Sequence, residues 1–172
     1  SDTELRAMAD KIAAELGGLN GIVHCAADFS GLRPLETTDA EEFITQIHVN
    51  LTAPWLLTQA CLPVLRKAEN ASVVFVCEDL SRVNKAYWGA YGIAKAGLEG
   101  LVRMLHDETD DSVVRVSGLQ PGPMRTSIRS RAYVEEAATH CPDAAVYAPA
   151  CVYLLSAQGA AERGRILRPQ AG

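Results

Sequence analysis

Tyr91 and Lys95 stand four residues apart in the stretch AYWGAYGIAKAGLEGLVRML, Ala86 to Leu105. In a helix that spacing puts both on one face, a turn apart. A tyrosine hydroxyl titrates near 10 in water and is a poor base at neutral pH. A lysine ammonium a few ångströms away favours the phenolate and lowers that value. A shift of about 3 units corresponds to roughly 4 kcal/mol of differential interaction. Such a pair can pass a proton to or from a substrate hydroxyl or carbonyl. The same spacing also arises by accident, so the elements that hold the pair decide its meaning.

Ala94, Lys95, Leu98, Leu101, Val102 and Leu105 follow Tyr91 at helical intervals. They form the apolar stripe of an amphipathic helix, and Tyr91 and Lys95 open that stripe. The pair is therefore expected to be partly buried. The opposite face carries Gly89, Gly92, Ala96 and Gly100. Each Gly costs a helix about 1 kcal/mol against Ala. So many small residues predict a second buried face, packed closely on another helix within the subunit or across a subunit interface.

The rest of the chain supplies the frame. A helix is predicted over Ser1–Leu16, opened by the capping box SDTE and ended by Gly17-Gly18. GIVHC (Gly21–Cys25) is a short buried strand, followed by a loop over Ala26–Thr37. A second capping box, Thr38-Asp39-Ala40-Glu41, starts a long helix to about Lys67 that contains Pro54. Pro54 has no N–H to give the Asn50 carbonyl, so a kink is expected there, with that carbonyl free for solvent, Thr52 or a substrate group. SVVFVC (Ser72–Cys77) and VVRVSGL (Val113–Leu119) read as strands buried on both faces. Polar loops follow each, Glu78–Lys85 and Gln120–Ser127. Ile128–Cys141 is polar and partly helical, Asp143–Ser156 a further helix, and Arg165–Arg168 a last strand. Strands alternating with helices predict an α/β fold, a doubly wound parallel sheet with helices on both faces. Ligands in such folds bind beyond the carboxyl ends of the strands. Cys25–Ala27, Glu78–Ser81 and Pro121–Thr126 occupy those places.

Bulk properties narrow the function. One domain over residues 1–172 is expected from length. A net charge of −5 with no basic run argues against nucleic acid. No apolar run approaches the roughly 18 residues a membrane span requires. Ser1 opens directly into a helical pattern, so no signal peptide is expected. Five scattered Cys without a CxxC pair read as reduced, mostly buried thiols of a cytoplasmic protein. The four His show no metal-ligand spacing, so no metal is expected.

Taken in chain order, these motifs resemble the short-chain dehydrogenases/reductases. The catalytic YxxxK of that family matches Tyr91 and Lys95, its kinked-helix asparagine matches Asn50, and its PGxxxT loop matches Pro121, Gly122 and Thr126. Its strand-end NAG motif matches Cys25-Ala26-Ala27 less well. The lead-in YWGAY and the stretch VHCAADFSGLRPLE resemble most a bacterial subgroup of poorly defined substrate. The resemblance implies NAD- or NADP-dependent oxidation of an alcohol or reduction of a carbonyl. Tyr91 would be the general acid/base, Lys95 would lower its pKa and hold the nicotinamide ribose, and Asn50 would anchor a water in a proton relay. Ala26, Ala27, Pro121, Gly122 and Thr126 would complete the cofactor contacts. The small-faced helix, with the Pro54 helix, would form a homodimer or homotetramer interface.

Three departures qualify the resemblance. The chain is expected to be the C-terminal two-thirds of the family fold, lacking its first β-α-β unit, which leaves Ile22-Val23 as an exposed apolar edge. Glu78 stands 13 residues before Tyr91, where the family places a serine, with Ser81 as a nearby substitute. Cys25 and Ala27 replace an asparagine and a glycine. An impaired active site is one expectation, and a non-catalytic binding or dimerisation module is the alternative.

Overall fold

Runs of branched apolar residues make the strands, and the two central ones are buried on both sides. The computed structural model describes residues 2–136 and 140–169. Its elements are α1 (Asp2–Leu16), β1 (Gly21–His24), α2 (Ala40–Ile47), α3 (Ala53–Leu65), β2 (Ala71–Val76), α4 (Leu80–Val83), α5 (Gly89–Thr109), β3 (Val114–Leu119), α6 (Ser127–Ala132), α7 (Ala148–Leu155) and β4 (Ile166–Leu167). The sheet runs β1-β2-β3-β4, each neighbouring pair parallel. Because side chains alternate along a strand, Val73 and Phe75 face one layer and Val74 the other. On the first side they join Leu65 of α3 with Leu98 and Val102 of α5. On the second, Val74 and Leu119 pack on Leu154 of α7. Burying each such side chain contributes about 1.5–3 kcal/mol. Helices therefore cover both faces of a parallel sheet, the predicted architecture.

The Pro54 helix is broken differently from a simple bend. Asp39, not Thr38, is the N-cap: its carboxylate accepts from the Glu41 and Glu42 N–H groups, while the Thr38 hydroxyl donates to the Pro34 carbonyl. After α2 the chain widens into a π turn over His48–Thr52, in which the Ala53 N–H reaches back to the His48 carbonyl. Pro54 then occupies the first turn of α3, where a missing N–H costs nothing. Ser1, in the proposed first capping box, lies outside the described residues. Asp143–Ser156 divides into a 3₁₀ turn (Ala144–Tyr147) and α7.

The edge strand is partly covered. Ile22 and Val23 are half-buried rather than exposed, with Val23 packed against the α7 layer. His24 closes β1 in the core, stacked 4.6 Å from Phe75. The Thr58 hydroxyl donates to the Pro54 carbonyl, so its oxygen accepts from His24 Nε2, 2.8 Å away. That fixes the neutral Nε2–H tautomer, and burial pulls the His24 pKa down to about 4.

The small face of α5 splits in two. Gly92 lies inside the subunit, where a side chain would collide with the Val83 carbonyl of α4. Around Gly100 there is open space. One half is thus explained by intramolecular packing and the other is not.

Candidate active site

The carboxyl ends of β2 and β3 open into a cavity of ≈ 230 Å³. Helix α5 brings Tyr91 and Lys95 to it on one face, and both are buried, at 3% and 4% exposed. The loop after β1 contributes Ala27, and the loop after β3 contributes Pro121, Gly122 and Thr126. Helix α5 and the stretches after β1, β2 and β3 thus meet at one cavity because each follows, or lies beside, a strand end.

Ala26 and Asn50 do not line this cavity. Ala26 is exposed. Asn50 is fully buried, and its side chain is committed to backbone. Its amide donates to the Asp28 and Gln46 carbonyls, both at 2.8 Å, and its oxygen accepts from the Asp28 N–H at 3.1 Å. Asn50 thereby ties the loop after β1 to the π turn. Thr126 lines the cavity as the N-cap of α6, its hydroxyl accepting from the Arg129 N–H. Gly122 lets the Tyr147 hydroxyl approach where a side chain would block it.

The Tyr91 hydroxyl donates to Glu78 Oε2 at 3.1 Å. The other carboxylate oxygen accepts from the Asp79 N–H. Lys95 donates to the Val76 carbonyl at 3.0 Å, and its ammonium stands 5.6 Å from the centre of the Tyr91 ring. Burial, then the Glu78 charge, then the hydrogen bond to Glu78 hold the Tyr91 pKa well above its ordinary value. Burial pulls Lys95 down, against the Glu78 charge, which pulls it up. The expected lowering of Tyr91 by Lys95 is therefore overturned. Burial first, and then a carboxylate in hydrogen-bond contact, favour the neutral phenol, and the ammonium beyond the ring does not reverse them.

Ser81 does not replace a serine at position 78. It is exposed in α4, and its hydroxyl donates to Asp79 at 2.7 Å. Three arginines at or after the Gln120–Ser127 loop, candidates for an anionic substrate group, are also engaged. Arg125 pairs with Asp143 at 3.1 Å, and Arg131 donates to the Phe29 carbonyl at 2.6 Å. Arg129 grips Glu136 with two nitrogens, one contact at 2.7 Å, and lies over the Tyr133 ring.

Two wall residues, Trp88 and Tyr133, were missed in the sequence. Their rings meet at 6.1 Å across 45 positions of chain. The one available signal was the Trp of the YWGAY lead-in. All five cysteines are free, with Cys25 exposed at the cavity mouth and Cys77 buried beneath it. Among the described residues no cluster of His, Cys, Asp and Glu could hold a metal, and no helix is long and apolar enough to cross a membrane.

Comparison with known proteins adds an independent line. The family model described as short chain dehydrogenase matches residues 1–137. The uncharacterized oxidoreductase YciK of Escherichia coli K12 is 33% identical over 129 residues, 75% of this chain and 51% of YciK. A solved short chain dehydrogenase from Salmonella enterica serovar Typhi CT18 superposes with a TM-score of 0.92 at 32% identity, covering 98% of this chain and 69% of that one. A short chain dehydrogenase from E. coli CFT073, solved in complex with NADPH, gives 0.91 at 28% identity over 98% of this chain and 70% of that one. The chain spans about half the length of the curated relatives it matches.

Proposed function

The chain belongs to the short-chain dehydrogenase family, and on that footing we propose that its cavity is the proton-transfer and nicotinamide end of an NAD(P)-dependent oxidoreductase site for a small carbonyl or alcohol. The observation that carries this reading is the meeting of the Tyr91 hydroxyl and the buried Lys95 ammonium in one cavity at the strand ends. Tyr91 exchanges a proton with the substrate oxygen. Glu78 is the acceptor already in contact with that hydroxyl, so it can relay the proton in alcohol oxidation. In carbonyl reduction the same carboxylate faces the developing oxyanion and holds the reaction back.

The residues fit one end of a dinucleotide. An ammonium has three protons, and the Val76 carbonyl takes one from Lys95; among the described residues Lys95 has no other hydrogen-bond partner. Ribose hydroxyls suit the remaining donors, and the Gly122–Thr126 loop would hold the carboxamide. When bound, the nicotinamide supplies or receives the hydride. The NADPH-bound relative favours the phosphorylated form. Among the described residues the pyrophosphate end has no counterpart. Gly17 and Gly18 have positive φ but close α1 rather than open a helix, so no helix N-terminus meets phosphate there.

Titration of NADPH and NADH by ligand-observed NMR tests the cofactor reading on the 172-residue chain. Binding weaker than micromolar is expected, and Lys95→Met, which keeps the side-chain bulk, should remove it. Binding that survives Lys95→Met would place the dinucleotide elsewhere. One observation favours the second reading, a binding module without turnover: the Tyr91 hydroxyl is already occupied by Glu78. Self-association through the open part of the α5 small face, beside exposed Ile93 and Met104, belongs to the proposal, as does a reducing cytoplasmic setting for five free thiols.

A further inference from the structure

The walls of the cavity indicate what kind of carbonyl it takes. Trp88, Tyr91 and Tyr133 line it, with fully buried Phe29 behind them. Phe29 lies 5.2 Å from Trp88 and 5.3 Å from Tyr91, and Trp88 lies 5.8 Å from Tyr91, all tilted or edge-on. Such contacts hold the rings firmly and leave their outer faces and edges to a ligand.

The backbone is bent to aim Trp88 there. Tyr87 has φ of +76°, the one non-glycine positive φ among the described residues, and Gly89 has +50°. A left-handed tyrosine costs about 1–3 kcal/mol and persists only where its surroundings impose it. Here the Tyr87 carbonyl accepts from the Arg33 N–H at 2.9 Å, and the Trp88 carbonyl from the Gly92 N–H. The half-buried indole is thus set by a strained turn rather than by a loose loop.

Charge at this end of the cavity is internally balanced. Arg82 is turned onto Asp79 at 3.4 Å, and Arg129 is held by Glu136 and the Tyr133 ring. Each guanidinium already faces a carboxylate, and Glu78 would repel a carboxylate or phosphate on the ligand. The volume, ≈ 230 Å³, is below the roughly 300–1,000 Å³ of sites for drug-sized ligands. The nicotinamide ring would share it, so what remains suits one ring with a short side chain, not a long acyl chain or fused rings.

Resting on the oxidoreductase reading above, we propose that the substrate class is small, uncharged aryl ketones or the corresponding aryl alcohols, the ring laid against Trp88 and Tyr133 and the oxygen turned to Tyr91. Three probes separate the alternatives: acetophenone, cyclohexyl methyl ketone with a saturated ring, and benzoylformate with an added carboxylate. Their dissociation constants are measured by ligand-observed NMR on the 172-residue chain. Acetophenone should bind about ten-fold tighter than either of the others. Trp88→Leu, which keeps an apolar wall, should erase that preference while circular dichroism shows the fold retained. Trp88→Phe should restore most of it. Equal or tighter binding of the saturated or charged ketone, no binding of any of the three, or a preference unchanged in Trp88→Leu would each overturn the assignment. Binding is read without turnover, so the two readings fail separately. A preference for the saturated ketone would leave the oxidoreductase reading intact, whereas aryl binding without hydride transfer would remove that reading and leave an aryl-binding cavity.

Discussion

Glu78→Ser is expected to lower the pKa of Tyr91 and to raise carbonyl reduction by about 10²-fold. Four influences hold Tyr91 up: burial, the Glu78 charge, the Glu78 hydrogen bond and, least, Tyr133. The substitution removes the second and third and leaves burial and the smaller influence of Tyr133. It also puts a hydroxyl that can donate where a carboxylate can only accept. Negative charge grows on the substrate oxygen during reduction, so the exchange turns a repulsive neighbour into a stabilising one. The pH dependence follows in sign. Alcohol oxidation needs the phenolate, so its rate rises as pH passes the Tyr91 pKa, and that rise should move to lower pH in Glu78→Ser. Ultraviolet difference titration, with Tyr91→Phe as the blank, reads the pKa directly. A fall in reduction rate would mean that Glu78 is itself the proton donor and that its presence is no impairment.

Asn50→Ala is expected to cost about 3 kcal/mol or more of folding stability. Asn50 is fully buried, and its side chain pairs three backbone groups: the Asp28 N–H, the Asp28 carbonyl and the Gln46 carbonyl. Alanine leaves these groups without partners, at about 1–3 kcal/mol for each one that water cannot reach. The loop it releases carries Ala27 and Phe29, so the aromatic wall should loosen with it. Urea denaturation gives the stability change, and near-ultraviolet circular dichroism reports the Trp88 and Tyr91 environment. A loss below about 1 kcal/mol would show that solvent or the π turn satisfies those groups.

Those two positions differ in how far sequence could foresee them. Tyr91 and Lys95 are four apart on an amphipathic helix, and local periodicity suffices to pair them. Glu78 was identified by its spacing, but its bond to Tyr91 depends on where β2 ends relative to α5, which no local pattern encodes. Asn50 was read through its carbonyl and the missing proline N–H. The structure commits its side chain instead, to a loop 22 residues earlier. The core strands were legible because continuous Val-rich runs are buried on both faces. The form of the Pro54 break was not, since a proline dictates only that the α register must change. Thr38 and Asp39 are both good caps, and a contact with Pro34 decided between them. The small face of α5 shows the same limit. Gly92 and Gly100 look alike in sequence, yet α4 packs on the first, while among the described residues a side chain at the second would meet nothing within 4 Å. Trp88 and Tyr133 meet only once α6 has folded back beside α5.

Transfer of deuterium from 4-deuterated NADPH to acetophenone, read by mass spectrometry of the alcohol formed, tests most directly whether Tyr91 serves hydride-transfer chemistry. The chain, Glu78→Ser and Glu78→Ser/Tyr91→Phe are compared at millimolar cofactor, with circular dichroism confirming that each is folded. Deuterated 1-phenylethanol should accumulate slowly with the chain, about 10²-fold faster with Glu78→Ser, and at least 10²-fold slower again once Tyr91 loses its hydroxyl. Equal deuterium incorporation with and without the Tyr91 hydroxyl, or none with any of the three proteins from either acetophenone or cyclohexyl methyl ketone, would contradict an oxidoreductase site built on Tyr91.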